Sequence, residues 1–231
     1  MKTIGLIGGM SWASSDVYYQ QLNRQIQQRC GGLHSAKVIL NSVDFHEIEI
    51  LQREGRWEEA GQYLSHVALQ LEQAGADVIA LCTNTMHKVA AQIENAIERP
   101  FLHIADATIQ AIQKQKLNKV ALLGTAFTMQ QDFYKGRLLA QGIEVLIPNE
   151  NDQKIVHDVI YQELCCSQIL ESSKQHYLDI IQDLKHQGAA GIILGCTEIG
   201  LLIQQEDVDL PVFDTTQIHV NALVDFALSE E

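Results

Sequence analysis

Short runs of β-branched and aliphatic residues alternate along this chain with longer stretches in which apolar positions recur every three or four residues. The short runs predict strands at Thr3–Ile7, Lys37–Val43, Val78–Leu81 and Phe101–His103, with a second set at Lys119–Leu123, Ile143–Ile147, Gly191–Leu194 and Val212–Phe213. Between them, Leu64, Val67, Leu71 and Ala74 step at helical spacing, as do Leu170, Tyr177, Ile181 and Leu184. Each such stripe is expected to lie against a sheet. Strands alternating with helices imply parallel pairing, because a parallel crossover is long enough to hold a helix. The predicted fold class is α/β.

The pattern repeats. Gln73-Ala-Gly-Ala-Asp-Val-Ile-Ala-Leu-Cys82 is matched by Gln187-Gly-Ala-Ala-Gly-Ile-Ile-Leu-Gly-Cys196, and each cysteine follows an apolar strand. Lys2-Thr-Ile-Gly-Leu-Ile-Gly8-Gly9 resembles Lys119-Val-Ala-Leu-Leu-Gly124-Thr125. Tyr18 and Tyr134 follow at equal distance, and Pro100-Phe-Leu-His matches Pro211-Val-Phe-Asp. Glycines after strands are common to all α/β proteins, but four landmarks in the same order indicate a duplication. Two halves of about 110 residues each suit the usual domain size. We expect two pseudo-symmetric domains, each a four-stranded parallel sheet flanked by helices, with the active site in the cleft between them. The expected boundaries are 1–104 plus 212–231 for the first domain and 105–211 for the second, the last strand and helix returning to the first half.

The formal charge is −13, from 16 basic and 29 acidic residues. Such a surface repels phosphate backbones and anionic lipids, so neither nucleic acid nor membrane is expected as a partner. It repels an acidic substrate too, which would need a local basic patch. Arg53 with Arg56, and Lys135 with Arg137, are the candidates. The N-terminal apolar run is broken at once by glycines and reads as a strand, not as a signal peptide or a membrane span. The expected compartment is the cytoplasm. The five cysteines (Cys30, Cys82, Cys165, Cys166 and Cys196) are then expected to be reduced.

Gly8-Gly9-Met10-Ser11 follows the first strand and opens a helix. It lacks the spacing of a dinucleotide or Walker loop; a carboxylate-binding turn and a plain tight turn both fit. Cys82-Thr83-Asn84-Thr85 and Cys196-Thr197-Glu198 stand at the carboxyl ends of strands, where open α/β sheets bind ligands. Thr83, Asn84 and Thr85 offer hydroxyls, an amide and backbone N–H groups, suited to a carboxylate and equally to helix capping. Thr197 offers a hydroxyl. Glu198 could accept from an ammonium group or orient a neighbour, or could simply favour a helix start. A thiolate on one face of a carbon can take a proton while a thiol on the other returns one, which inverts that carbon.

Other readings compete. A metal at Cys82, His87 and Cys196 fits known zinc spacings poorly. Redox use of Cys165-Cys166 is disfavoured by their adjacency. A two-domain binding protein would bind an amino acid without needing two thiols. Tyr18, Tyr19 and Tyr134 suit cleft closure or core packing. His34, His46 and His103 lie at strand ends, near the site or simply in structural roles.

The two cysteine motifs, with Gly8-Gly9-Met10-Ser11-Trp12 and His34-Ser35-Ala36, resemble the aspartate/glutamate racemase family over nearly the whole chain. The closest likeness is to its aspartate racemase and broad-specificity amino-acid racemase branch. The resemblance implies an amino-acid racemase without cofactor, pyridoxal phosphate or metal, often a homodimer, with Cys82 and Cys196 as catalytic acid and base. It places Met10, Gln52, Thr83, Asn84, Thr85 and Thr197 around the substrate. Aspartate is the first expected substrate and glutamate the next; neutral amino acids such as homoserine, and sibling reactions such as cis–trans isomerisation or decarboxylation, stay open. Two departures stand out. Ala13 replaces a glutamate common among relatives, and Glu163–Cys166 holds no Lys or Arg where some aspartate-specific relatives have a basic residue. Arg53 is the candidate replacement, or else a solvated helix end.

Overall fold

The computed structural model describes residues 1–166 and 168–229. The chain divides into two compact units, one formed by Met1–Ile104 with the segment from His219 onward, the other by Ala105–Ile218. The first contains β1 (Ile4–Gly8), α1 (Trp12–Cys30), β2 (Val38–Ser42), α2 (Phe45–Arg53), α3 (Trp57–Gln73), β3 (Val78–Leu81), α4 (Ala90–Ala96) and β4 (Phe101–Leu102). A 3-10 turn, Thr85–Val89, precedes α4. The chain leaves this unit at the start of α5 (Ile104–Lys114). The second contains β5 (Lys119–Gly124), α6 (Ala126–Gln130), α7 (Asp132–Ala140), β6 (Glu144–Leu146), α8 (Glu150–Gln162), α9 (Glu171–His186), β7 (Ile192–Gly195), α10 (Ile199–Leu202) and β8 (Val212–Asp214). The chain returns within α11 (Thr215–Leu228). Both sheets are parallel and share one order, β2-β1-β3-β4 and β6-β5-β7-β8.

Every residue of the central strands β1, β3 and β7 is buried, whereas the edge strands β2 and β6 are partly exposed. A parallel strand covered on both faces must be apolar throughout, which is why these segments read as unbroken hydrophobic runs. Alternation along β3 then decides which way each side chain points. Ile79 and Leu81 join the cluster of Ile7, Leu64, Leu71 and Met86, while Val78, Ala80 and Cys82 join Leu6, Tyr18, Leu22 and Val224 on the opposite face.

The helical stripes hold with two exceptions. Leu64, Val67 and Leu71 of α3 are buried, but α3 stops at Gln73 and Ala74 is its exposed cap. Tyr177, Ile181 and Leu184 of α9 are buried, but Leu170 precedes the helix and is exposed. A larger correction concerns Val212–Phe213, expected with the first half. This strand pairs with β7 in the second sheet, Ile192 opposite Val212 and Ile193 opposite Phe213. Ile192 N–H also donates to Pro211 O at 2.9 Å, and Phe213 is buried. β7 would otherwise present an open hydrogen-bonding edge, so the return falls between Ile218 and His219, not ahead of the strand. Residues 230–231 of the expected first domain lie outside the described residues.

His219 is fully buried on α11. Tyr18 O–H donates to its Nδ1 and its Nε2–H donates to Leu102 O, both at 2.8 Å. Burial pushes this imidazole down from 6.5 to about 4. The folded state therefore holds it neutral while the unfolded chain takes up a proton below about pH 6.5. Its contribution is complete above that pH and is lost progressively as pH falls toward 4, up to about 3 kcal/mol. Calorimetric unfolding from pH 7.5 to 4.5 should show this decline, and His219→Gln, which keeps a donor for Leu102 O, should make it shallower. An unchanged slope in the variant would refute the assignment.

Candidate active site

In the first unit the register sets Ile7 beside Leu81, so Gly8 and Cys82 leave the sheet as neighbours. Cys82 N–H donates to Ile7 O at 2.9 Å, and Ser14 Oγ–H donates to Cys82 O at 2.7 Å. The Gly8–Ser11 loop is held from within α1. Ser11 Oγ accepts from Ser14 N–H at 3.2 Å, while Ser15 Oγ accepts from Gly9 N–H at 2.8 Å and donates to Ser11 O at 3.1 Å. Gly9 has φ +95°, and a β-carbon there would lie 2.1 Å from Val43 O, so no other residue fits without rebuilding the loop.

Thr83 is half-buried, and Asn84 and Thr85 are buried. The turn they open is closed by His87, whose N–H donates to Asn84 O at 3.1 Å and whose Nδ1 lies 2.8 Å from Thr83 O. His87 Nε2 accepts from Ile104 N–H at 3.2 Å. Met10 is buried in the same apolar cluster as Met86, and buried Gln52 directs its Nε2–H at Met86 Sδ, 2.9 Å away. Met10, Gln52 and the 83–86 turn are thus gathered at one end of the sheet. Arg53 is not. It sits exposed at the end of α2, its guanidinium on Glu49 at 3.2 Å, and Arg56 is held by Glu54 and Glu59. Cys82 itself is fully buried, and desolvation pushes its thiol well above the ordinary range.

In the second unit Gly124 pairs with Gly195, so Thr125 and Cys196 emerge side by side. A β-carbon on Gly195 would meet Leu123 O at 2.9 Å; the strands pass too closely there for a side chain. Cys196 is partly exposed. Its Sγ–H donates to Glu198 Oε2 at 3.0 Å, and Thr197 Oγ1–H donates to the same oxygen at 2.6 Å. Glu198 is buried. Burial foremost, then the negative charge of Glu198, holds the Cys196 thiol well above its usual range. Cys165 is pushed up to about 12, by burial first and then by Glu198 and Cys166. Lys135 is half-buried, and Arg137 is bound by both oxygens of Asp106 at 2.8 and 2.7 Å.

Two further polar residues of this unit are not among the sequence candidates: Thr125, beside Cys196, and His157, which meets the residue after Thr125. Thr125 caps α6 by accepting from Thr128 N–H at 3.3 Å, and His157 Nδ1 accepts from Ala126 N–H at 3.2 Å. Thr125 registered only as a landmark of the repeat. His157 follows Gln153 by one helical turn on α8, and a polar pair on the sheet-facing side of that helix was the available signal. The remaining histidines and tyrosines divide between surface and core. His34, His46 and Tyr19 are exposed, while His103, Tyr18 and Tyr134 are buried. His87 has both ring nitrogens engaged, so a metal there would have to displace the Ile104 N–H. Among the described residues no three His, Cys, Asp or Glu side chains converge as a metal site, and no helix is long and apolar enough to cross a membrane.

The Asp/Glu/hydantoin racemase family model matches residues 7–223. A Yersinia pestis crystal structure, named as a candidate Asp/Glu racemase, is 54% identical with a TM-score of 0.94 and covers 99% of this chain and 100% of that one. The structure of an aspartate racemase homologue from Pyrococcus horikoshii is 34% identical with a TM-score of 0.88, over 99% and 100% of the two chains. In sequence, the broad-specificity amino-acid racemase RacX of Bacillus subtilis is 26% identical over 224 residues, 92% of each chain.

The burial pattern sets an order of thiol reactivity. Cys30 and Cys166 are exposed and should be the first to react with iodoacetamide at pH 8. Cys82, buried and protonated, should react about a hundredfold or more slowly. Peptide mapping over a time course reads this directly; Cys82 labelling as fast as Cys166 would contradict the buried placement.

Proposed function

The chain belongs to the Asp/Glu/hydantoin racemase family, and we propose that it is a cofactor-independent amino-acid racemase in which Cys82 and Cys196 are the acid and base. The observation that carries this reading is the recurrence of one arrangement in both units. In each, a cysteine follows a central parallel strand and leads into a turn bearing hydroxyl side chains. The reading requires the two sulfurs to reach one α-carbon from opposite faces. Aspartate is the first substrate, supported by the Pyrococcus relative's name, and glutamate the second. The enzyme is expected to act as a homodimer in the cytoplasm.

Removing an α-proton leaves negative charge spread onto the substrate carboxylate, which must be met by donors already in place. Thr83, Asn84, Thr85 and Thr197 supply hydroxyl, amide and backbone donors for that role, with Met10 and Gln52 shaping the wall beside them. The base must be a thiolate, yet burial keeps both thiols protonated. At Cys196 the acceptor is at hand. Passing the thiol proton to Glu198 Oε2 leaves a thiolate beside a neutral carboxylic acid and avoids two adjacent anions. Cys196 is therefore the first base and Cys82 the first acid; after one turnover the roles are exchanged.

A second reading, racemisation of neutral amino acids, is favoured by the arginines. Arg53, Arg56 and Arg137 all face carboxylates of the protein itself. It also agrees with the name of the Bacillus relative.

Proton NMR in deuterium oxide with a panel of single enantiomers separates the readings, since loss of the α-proton signal with racemisation identifies substrate and reaction together. Cys82→Ser and Cys196→Ser should each lower the rate by about a thousandfold or more while leaving binding intact. Glu198→Gln should lower kcat/KM by about a hundredfold, equally in both directions because the equilibrium constant is one. No exchange with any amino acid would end the racemase reading.

A further inference from the structure

Three buried histidines of the first unit take no part in the proposed proton transfers, and two of them grip one short stretch of backbone. Leu102 O accepts from His219 Nε2–H at 2.8 Å, and Ile104 N–H donates to His87 Nε2 at 3.2 Å. Between these points lies His103, buried, its ring 4.4 Å from that of His87. Residues 102–104 are where β4 gives way to α5 and the chain leaves the unit. The register of β4 with β3 runs through Phe101 and Leu102. At this end of the strand imidazole nitrogens serve as partners to the backbone.

His87 is bound at its other edge as well. A backbone carbonyl only accepts, so the 2.8 Å contact to Thr83 O puts the ring hydrogen on Nδ1. Nε2 is then the lone-pair nitrogen, as its contact with the Ile104 N–H demands. The ring is fixed as one neutral tautomer by two backbone groups, because the other tautomer would oppose N–H to N–H and lone pair to carbonyl. Through it, the carbonyl of the residue after Cys82 is joined to the first amide of α5. The 3-10 turn at Thr85–Val89 makes this possible by bringing the His87 side chain back over Thr83.

We propose that His87 is a positioning residue, a neutral imidazole link that holds the Thr83–Thr85 turn against residue 104 so that its donors meet the substrate carboxylate. The inference rests on the racemase reading above. A link in series fails when either end is cut, and this distinguishes it from a side chain that merely fills space.

The test uses the full-length enzyme and whichever amino acid shows α-proton exchange. His87→Asn retains a donor near the Nδ1 position and loses the acceptor for Ile104 N–H. His87→Gln reaches the Nε2 position and gives up Thr83 O. Each should raise KM about tenfold with kcat changed less than about threefold, and His87→Ala should be no worse than either. Both conservative variants preserve the polar character of the site, so the test stands even if the alanine variant fails to fold. Nitrogen-15 NMR of the wild type should show a neutral His87 protonated on Nδ1. A wild-type KM in either conservative variant, a loss confined to kcat, or an Nε2-protonated ring would overturn the proposal. A wild type that exchanges no amino acid α-proton defeats the racemase reading and this inference with it, whereas an active wild type whose variants match it kinetically defeats the inference alone.

Discussion

A thiol at the carboxyl end of a parallel strand is surrounded by backbone and apolar side chains, and that setting keeps its proton on. Cys82 is enclosed on the face of the sheet that carries Tyr18, Leu22 and Val224, and Cys196 packs at the edge of the second core. Both thiols are shifted upward, with desolvation as the leading cause. Proton chemistry at such a site depends on a neighbour able to take charge without leaving two anions together. On the proposed reading Glu198, which accepts from the Cys196 thiol at 3.0 Å, would meet that requirement. The two ends are therefore chemically unlike, although their strands occupy the same place in their sheets.

That difference arises from the residues just beyond each cysteine. After Cys82 the chain enters a 3-10 turn, and the carbonyl of Thr83 is met by the neutral ring of His87 while that of Asn84 is met by the His87 N–H. After Cys196 the chain enters α10 by way of Glu198, and the polar groups are satisfied by a carboxylate. The surrounding framework constrains both ends alike. Gly8 and Gly9 beside Cys82, and Gly124 and Gly195 beside Cys196, permit backbone approaches that a side chain would block. The duplication thus preserves the sheet order and the close strand crossings while leaving the residues beyond the strands free to diverge.

Much of this was legible in the sequence. Strands buried on both faces must be apolar throughout, so β1, β3 and β7 are legible as unbroken runs, β5 follows the same pattern after its partly exposed Lys119, and the repeat gives their correspondence. The misplacements have physical reasons. Ala74 and Leu170 satisfy helical spacing, but spacing ignores caps, and each lies just outside its helix. The strand at Val212 is expected to return with the final helix, but the open edge of β7 decides its partner. Arg53 sits beside Gln52 in sequence, yet neighbours on a helix point apart, and one is buried against Met86 while the other faces solvent with Glu49. His157 reaches Ala126 from a helix far off in sequence, and no local motif encodes such a contact.

The charge balance bears on specificity. A chain carrying −13 must place a cation or a set of aligned dipoles wherever it holds an anion. Arg53, Arg56 and Arg137 are each neutralised within 3.2 Å by carboxylates of their own surroundings. Freeing any of them for a ligand would strand an acidic partner, and on an exposed pair that exchange gains little. On the proposed racemase reading, the α-carboxylate of a substrate is better met by the hydroxyl and N–H groups of the 83–85 turn, which need no counter-charge and lie at a largely buried strand end. A second, side-chain carboxylate would have to find donors of the same neutral kind, and Thr125, which leaves the sheet beside Cys196, is one such hydroxyl. On that reading, discrimination between acidic and neutral side chains would turn on how many such dipoles converge, and not on the presence of one dedicated arginine.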